Sequence, residues 1–228
     1  DLTTNSLGTL KLLQSATENH SKKFIYASSS CVYGHKEGEL SETDVYFQLE
    51  TPYAISKLSG EYYTKFFQTY HGLSTVILRY FNSYGPGERP GRFRNVIPNF
   101  IHKALNKQPL TITGTGNETR DFTFIQDVVD ATLKAAEKEE AIGSIFNIGN
   151  ASEISIIELA DMINNLTENP AKTEFVPRRS WDHVLRRRAN IAKAKIILDY
   201  KPHWTLKEGL AKTVEWFEEN NIKSIPFS

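Results

Sequence analysis

Tyr53 and Lys57 stand four residues apart in the run Thr51-Pro52-Tyr53-Ala54-Ile55-Ser56-Lys57. In a helix opened by Pro52, that spacing puts both side chains on one face, one turn apart. A phenol has a pKa near 10 and is a poor base at neutral pH. A neighbouring ammonium favours the phenolate and is expected to lower that value, so the pair could take a proton from an alcohol. Spacing alone also fits an ordinary amphipathic helix with tyrosine in the core and lysine in solvent, and the flanking segments must decide. Ser29 follows the apolar run Phe24-Ile25-Tyr26-Ala27, 24 residues before Tyr53, and Arg79-Tyr80-Phe81-Asn82 ends the next apolar run. In an open parallel sheet the carboxyl ends of the strands form one rim, which is where ligands bind. A serine to orient a substrate oxygen, a tyrosine to move its proton, and a lysine to tune the tyrosine and hold a ribose are the groups alcohol oxidation needs.

Hydrophobic periodicity gives the elements that must position these groups. It predicts helices over residues 2–18, from 53 to about 70 (closed by His71-Gly72), 95–106, from Asp127 to about 140, 155–167, 190–198 and 206–220. Short apolar runs predict strands at 24–27, 75–81, 110–113, 122–125 and 144–149, with a further strand at 173–176. Residues 35–50 read as a polar loop, and 82–94 as a loop rich in Gly, Pro and Arg. Strands alternating with helices indicate an α/β fold built on a doubly wound parallel sheet.

Composition narrows the function classes. The formal net charge of zero removes any general attraction to nucleic acid or anionic membrane. No apolar run approaches the roughly 18 residues of a membrane span. The single cysteine, Cys31, excludes an internal disulfide and fits a reducing, cytoplasmic compartment. The six histidines show no Cys/His or HExxH spacing, so no metal site is expected. The chain starts without Met, directly in a helical pattern, as the middle of a larger protein would.

Seven segments in order carry a resemblance. They are Asn5-Ser6-Leu7-Gly8-Thr9, Ser28-Ser29-Ser30-Cys31-Val32-Tyr33-Gly34, Pro52-Tyr53-Ala54-Ile55-Ser56-Lys57, Arg79-Tyr80-Phe81-Asn82-Ser83-Tyr84-Gly85-Pro86, Thr119-Arg120-Asp121-Phe122, Phe146-Asn147-Ile148-Gly149 and Pro177-Arg178-Arg179. The chain resembles an extended short-chain dehydrogenase/reductase of the NAD-dependent sugar-nucleotide epimerase/dehydratase family, most of all its UDP-glucose 4-epimerase group. The resemblance implies a partial Rossmann-type domain (residues 1–85 and 123–150) and a smaller, mainly helical nucleotide-sugar-binding domain (86–122 and 151–228). It implies NAD as cofactor, a UDP-hexose as substrate, and a homodimer built on the helices at 2–18 and 53–70. It implies that Tyr53 is the catalytic base, that Lys57 holds the nicotinamide ribose and that Ser29 hydrogen-bonds the reacting hydroxyl. Asn5 and Phe81 would line the cofactor, Asn82 and Asn95 would contact the substrate, and Arg120, Arg179 and Asp182 would grip the nucleotide diphosphate and its ribose. Planar bidentate donors suit phosphate oxygens, although surface salt bridging suits the arginines too, and helix capping suits Asn95 and Asp182.

Two departures from the family pattern shape the expectation. Members that dehydrate a sugar carry an acidic pair after the catalytic Ser or Thr, and the decarboxylase pattern keeps the Glu; here those positions are Ser30 and Cys31. Neither supplies a carboxyl acid/base, which favours epimerase or simple oxidoreductase chemistry. The family's opening strand, Gly-rich turn and helix, which hold the dinucleotide pyrophosphate, have no counterpart, and Gly114-Thr115-Gly116 does not open a helix. The chain thus reads as roughly the last two-thirds of an epimerase-like enzyme, with the first strands of the sheet absent and an edge open to pairing. The leading expectation is a nucleotide-sugar 4-epimerase. Alternatives are a UDP-glucuronate 4-epimerase served by Arg89, Arg92 or Arg186, a nucleotide-sugar reductase, or an inactive fragment. The run Arg186-Arg187-Arg188 could equally be a solvated basic face.

Overall fold

The computed structural model describes residues 1–44, 48–49, 51–91, 94–178 and 184–224. The chain opens with a wide-turned (π) helical stretch, Leu2–Leu7, that runs into α1 (Gly8–Glu18). β1 (Phe24–Ser29), β2 (Gly38–Leu40), α2 (Pro52–His71), β3 (Thr75–Tyr80) and β4 (Ser83–Tyr84) follow. Next come α3 (Val96–Leu105), β5 (Thr111–Thr113), β6 (Thr119–Arg120), β7 (Thr123–Phe124), α4 (Ile125–Glu137) and β8 (Ile145–Ile148). The last elements are β9 (Ile154–Ser155), α5 (Ile156–Leu166), β10 (Glu174–Val176), β11 (Arg186–Ala189), α6 (Ala192–Ile197) and α7 (Leu206–Glu219).

The main sheet is parallel, in the order β1-β3-β8. Its register sets Ser29 opposite Tyr80, and Tyr80 opposite Ile148, so the carboxyl ends of all three strands finish level. β3 lies in the middle and is buried from Thr75 through Arg79, which is why it reads as a continuous apolar run rather than an alternating one. A second sheet, β2-β11-β6-β9, is parallel except for the antiparallel pair β6–β9.

α2 lies on β1, and its ends follow from local chemistry. The Thr51 side chain accepts the Ala54 N–H at 3.1 Å, Pro52 occupies the first turn, and Gly72 closes the helix at φ 68° in the left-handed region. Gly60 lets the helix approach β1 closely, since a Cβ there would stand 2.0 Å from the Tyr26 hydroxyl. That hydroxyl donates to the Lys57 carbonyl at 3.2 Å, fixing the helix against the strand.

Two large apolar cores form among the described residues, beside a small one of Leu13, Phe67 and Leu73. One packs β3 and β8 (Val76, Leu78, Phe146, Ile148) with Val32, Tyr33 and α4, and also takes Ile191, Ala194, Leu198 and Tyr200 from the C-terminal part of the chain. The other gathers α3, α5 and α7 around Ile97, Ile101, Leu159, Ile163, Leu210 and Phe217. Ile125 packs against both.

Several elements differ from the sequence expectation, the short strands β4, β6 and β9 among them. The 35–50 segment contains β2, whose three residues are too few to show a period. The basic run is neither helix nor a wholly solvated face: it forms β11, with Arg187 buried and Arg186 exposed. Three like residues in a row hide the alternation of a strand, and an arginine can bury its stem. α4 begins at Ile125, so the predicted strand shrinks to Thr123–Phe124 and Asp127 sits inside the first turn. There Asp127 is buried and accepts the backbone N–H groups of His203 at 2.9 Å and Trp204 at 3.3 Å. Among the described residues no helix is long and apolar enough to cross a membrane.

Candidate active site

Ser29 ends β1, and its Oγ accepts the Cys31 N–H at 3.2 Å, capping the tight helical turn Ser30–Tyr33. Tyr53 sits in the first turn of α2, 38% exposed, with its phenol facing the Ser29 side chain. Lys57 donates from Nζ to the Ala27 carbonyl at 2.9 Å and lies 5.8 Å from the Tyr53 ring centroid. The fold therefore brings these three groups together at the carboxyl end of β1.

The electrostatics differ from the sequence expectation. Burial pushes the Tyr53 phenol above its ordinary value, and the polar Ser29 side chain beside it lowers it by less. Lys57 does not depress it: its ammonium is turned to the Ala27 carbonyl, and burial lowers its own pKa. Without a further positive charge, this tyrosine is a proton donor rather than a base.

The other expected site residues fall into four groups. Asn5 donates from Nδ2 to Ser56 Oγ at 3.0 Å, and Ser56 Oγ donates to the Tyr53 carbonyl at 2.8 Å, which ties the first helical stretch to the start of α2. Asn82, Asn95 and Arg120 line one cleft of about 400 Å³, with Asn99, Lys103 and Phe122 among its other walls. Asn82 stands two residues beyond the end of β3, on the same rim as Ser29, and donates to the Asp121 carbonyl at 2.8 Å. Arg120 holds the carbonyls of Thr119 at 2.9 Å and Val184 at 3.0 Å. The Phe81 ring is fully buried in the first core, 6.0 Å from the Tyr33 ring, which leaves only its backbone at the rim to meet a cofactor. An apolar ring just past a buried strand turns inward, and only its backbone stays near the rim. Arg179 and Asp182, with Arg92, lie outside the described residues.

Asp121 is a support that sequence reasoning passed over. It has no exposed surface, and its carboxylate accepts the N–H groups of Asn150 at 2.8 Å and of Ala151 and Ala189 at 3.0 Å each. It thereby joins the end of β8 to β11 while its carbonyl holds Asn82. The sequence signal for it is its place between Arg120 and Phe122 in Thr119-Arg120-Asp121-Phe122. Burial pushes its carboxyl up to about 6. A carboxyl raised on folding binds its proton more tightly in the folded state. Its stabilising share is therefore present below the unfolded pKa near 3.8 and is lost as pH rises through about 6. Urea titrations should accordingly show the gap in stability between Asp121→Asn and the native protein changing by about 2–3 kcal/mol between pH 4 and pH 7, in the sense that the native protein loses more. A gap independent of pH would remove this account of Asp121.

The model of the NAD dependent epimerase/dehydratase family matches residues 1–149. A UDP-N-acetyl-alpha-D-glucosaminuronate decarboxylase of Bacillus cytotoxicus is 36% identical over 226 residues, 95% of this chain and 70% of that protein. The structure of epimerase Mth375 from Methanothermobacter thermautotrophicus superposes with a TM-score of 0.95 at 46% identity, over 96% of this chain and 66% of that one. A UDP-glucose 4-epimerase of Thermotoga maritima, solved with UDP-glucose, superposes at 0.90 with 32% identity, over 97% and 71%. The chain thus spans about two-thirds of the length of the proteins it matches.

Proposed function

Because the chain belongs to the NAD dependent epimerase/dehydratase family, we propose that the protein carrying it is a nucleotide-sugar 4-epimerase acting on UDP-glucose and UDP-galactose. The observation that carries this reading is the Ser29–Tyr53–Lys57 cluster, followed by Ser30 and Cys31 in place of acidic residues. Such a rim can oxidise and reduce an alcohol, but those two positions offer no carboxyl group to drive elimination. Resemblance to a decarboxylase supports the scaffold and leaves the reaction to be read from the residues.

The described residues fit the nicotinamide end of the cofactor. Among them, Lys57 uses one of its three N–H donors, on Ala27, which leaves donors for a ribose beside Tyr53 and Asn5. NAD, when bound, supplies a hydride acceptor for C4 and a positive charge that favours the Tyr53 phenolate. Ser29 holds the C4 oxygen and Tyr53 removes its proton. Arg120 and Asn95 keep the nucleotide diphosphate in the cleft while the keto sugar turns. After reduction on the opposite face, Tyr53 returns the proton, and net redox is zero. The expected assay result is UDP-galactose from UDP-glucose without stoichiometric release of NADH; release of one NADH per sugar would replace the epimerase reading with a dehydrogenase.

The glucuronate reading loses support at one residue. Arg186, a candidate partner for a sugar carboxylate, is paired with Glu153 on the neighbouring loop. In competition between UDP-glucose and UDP-glucuronate, the neutral sugar is expected to have the higher kcat/KM.

Further, the protein is proposed to act as a homodimer through α1 and α2. Leu12, Tyr62, Phe66 and Tyr70 are 62%, 56%, 47% and 74% exposed, and Tyr62 and Phe66 flank an apolar groove of about 630 Å³ that also holds Leu10. So many exposed large apolar side chains on one helix pair mark an association surface. Phe66→Lys is expected to shift the mass seen by light scattering from dimer to monomer; an unchanged mass would place the dimer elsewhere.

A further inference from the structure

Glu61 lies one turn beyond Lys57, which lies one turn beyond Tyr53, so the three share one stripe of α2. Tyr53 and Lys57 reach the rim, whereas Glu61 is buried at 3% exposure. Its carboxylate accepts both arms of the Arg79 guanidinium, Nε at 2.9 Å and Nη2 at 2.8 Å, and the Ser28 hydroxyl at 2.5 Å. Arg79 is on β3 and is equally buried, and Ser28 is on β1, next to Ser29. One carboxylate of α2 is thereby pinned to both strands whose ends form the rim. Arg79 is held in turn. Its Nη1 donates to the Glu42 carbonyl at 3.1 Å, and its guanidinium lies 4.8 Å from the Tyr33 ring centroid. The Tyr33 hydroxyl donates to Asn147 Oδ1 on β8 at 2.6 Å.

A buried ion pair is a poor source of stability. Desolvation offsets its attraction, and apolar pairs of similar volume are often at least as stable. A bidentate pair does supply direction, because the planar guanidinium and carboxylate meet at one separation and one angle. Apolar contacts between a helix and a strand permit small slides and rolls that this geometry does not.

Resting on the reading of Ser29, Tyr53 and Lys57 above, we propose that Glu61 and Arg79 are positioning residues: with Ser28, their pair sets the placement of α2 on β1 and β3, and so the reach of the Tyr53 hydroxyl to Ser29. Neither group touches the substrate. A misplacement of about 1 Å in such a constellation costs on the order of 100-fold in rate.

The test uses the full-length protein. The double variant Glu61→Leu with Arg79→Met removes both charges together, so that no lone buried ion remains. It is expected to melt within about 5 °C of the native protein and to keep KM for UDP-glucose within about threefold, while kcat falls by about 30-fold or more. A second readout does not depend on turnover. The 13Cζ signal of Tyr53, identified by its loss in Tyr53→Phe, should titrate at a shifted pH in the double variant. A folded double variant with native kcat and native Tyr53 titration overturns the proposal. If it does not fold, Ser28→Ala removes one partner of the carboxylate; kcat lowered by about threefold or more at unchanged KM supports the proposal, and unchanged kcat overturns it. If the native protein does not turn over UDP-glucose, the function reading fails, and the Tyr53 titration alone decides the positioning role.

Discussion

Tyr53→Phe is expected to lower kcat for UDP-hexose epimerisation by about 1,000-fold while KM for the nucleotide sugar stays within about threefold. The substitution removes one oxygen and leaves the ring, so α2 and its cap at Thr51 keep their packing. What is lost is the phenol hydroxyl that faces Ser29 at the rim. Positioned proton transfer of this kind contributes typically 100- to 10,000-fold, and an interaction made with the reacting oxygen appears in kcat rather than KM. Because burial raises the Tyr53 phenol above its usual value, the same experiment across pH carries a second expectation. Activity of the native enzyme should climb with pH over the range in which the cofactor-loaded tyrosine loses its proton, and Tyr53→Phe should flatten that limb. Loss of less than about tenfold would transfer the proton to another group.

The second large effect is expected at Arg120. Arg120→Met should raise KM for UDP-glucose by about 10- to 100-fold with kcat changed little, because a charge-assisted hydrogen bond to a phosphate contributes about 1.5–3 kcal/mol. Arg120 also holds the Thr119 and Val184 carbonyls at the edge of the cleft, so a thermal melt must accompany the kinetics. A KM effect at an unchanged melting temperature assigns the arginine to the ligand. A lowered melting temperature with unchanged KM assigns it to the loop at Val184.

How much of this was legible in the sequence varies from element to element. α2 was readable almost to its ends, because Thr51-Pro52 and His71-Gly72 are local signals that need no tertiary context. The order of the rim was readable too, since a strand ending in Ser29 and a helix starting at Tyr53 fix the topology of both. β11 was not, because Arg186, Arg187 and Arg188 differ in burial and not in residue type. At Phe81 the motif places the chain at the rim, and only the fold shows that the ring turns into the core. The direction of the Tyr53 shift depended on burial and on where the Lys57 ammonium points, and neither is a property of spacing. The Glu61–Arg79 pair joins α2 to β3 across 18 residues, and Ser28 adds β1, so only the fold brings it into view.

UDP-glucose carrying deuterium at C4 tests the central claim most directly. The account predicts UDP-galactose with the deuterium retained at C4, because the hydride removed from one face returns to the other, and no label in free NADH or in water. Loss of deuterium to solvent, or its accumulation in released NADH, would contradict transient oxidation at C4 with Tyr53 as the proton carrier.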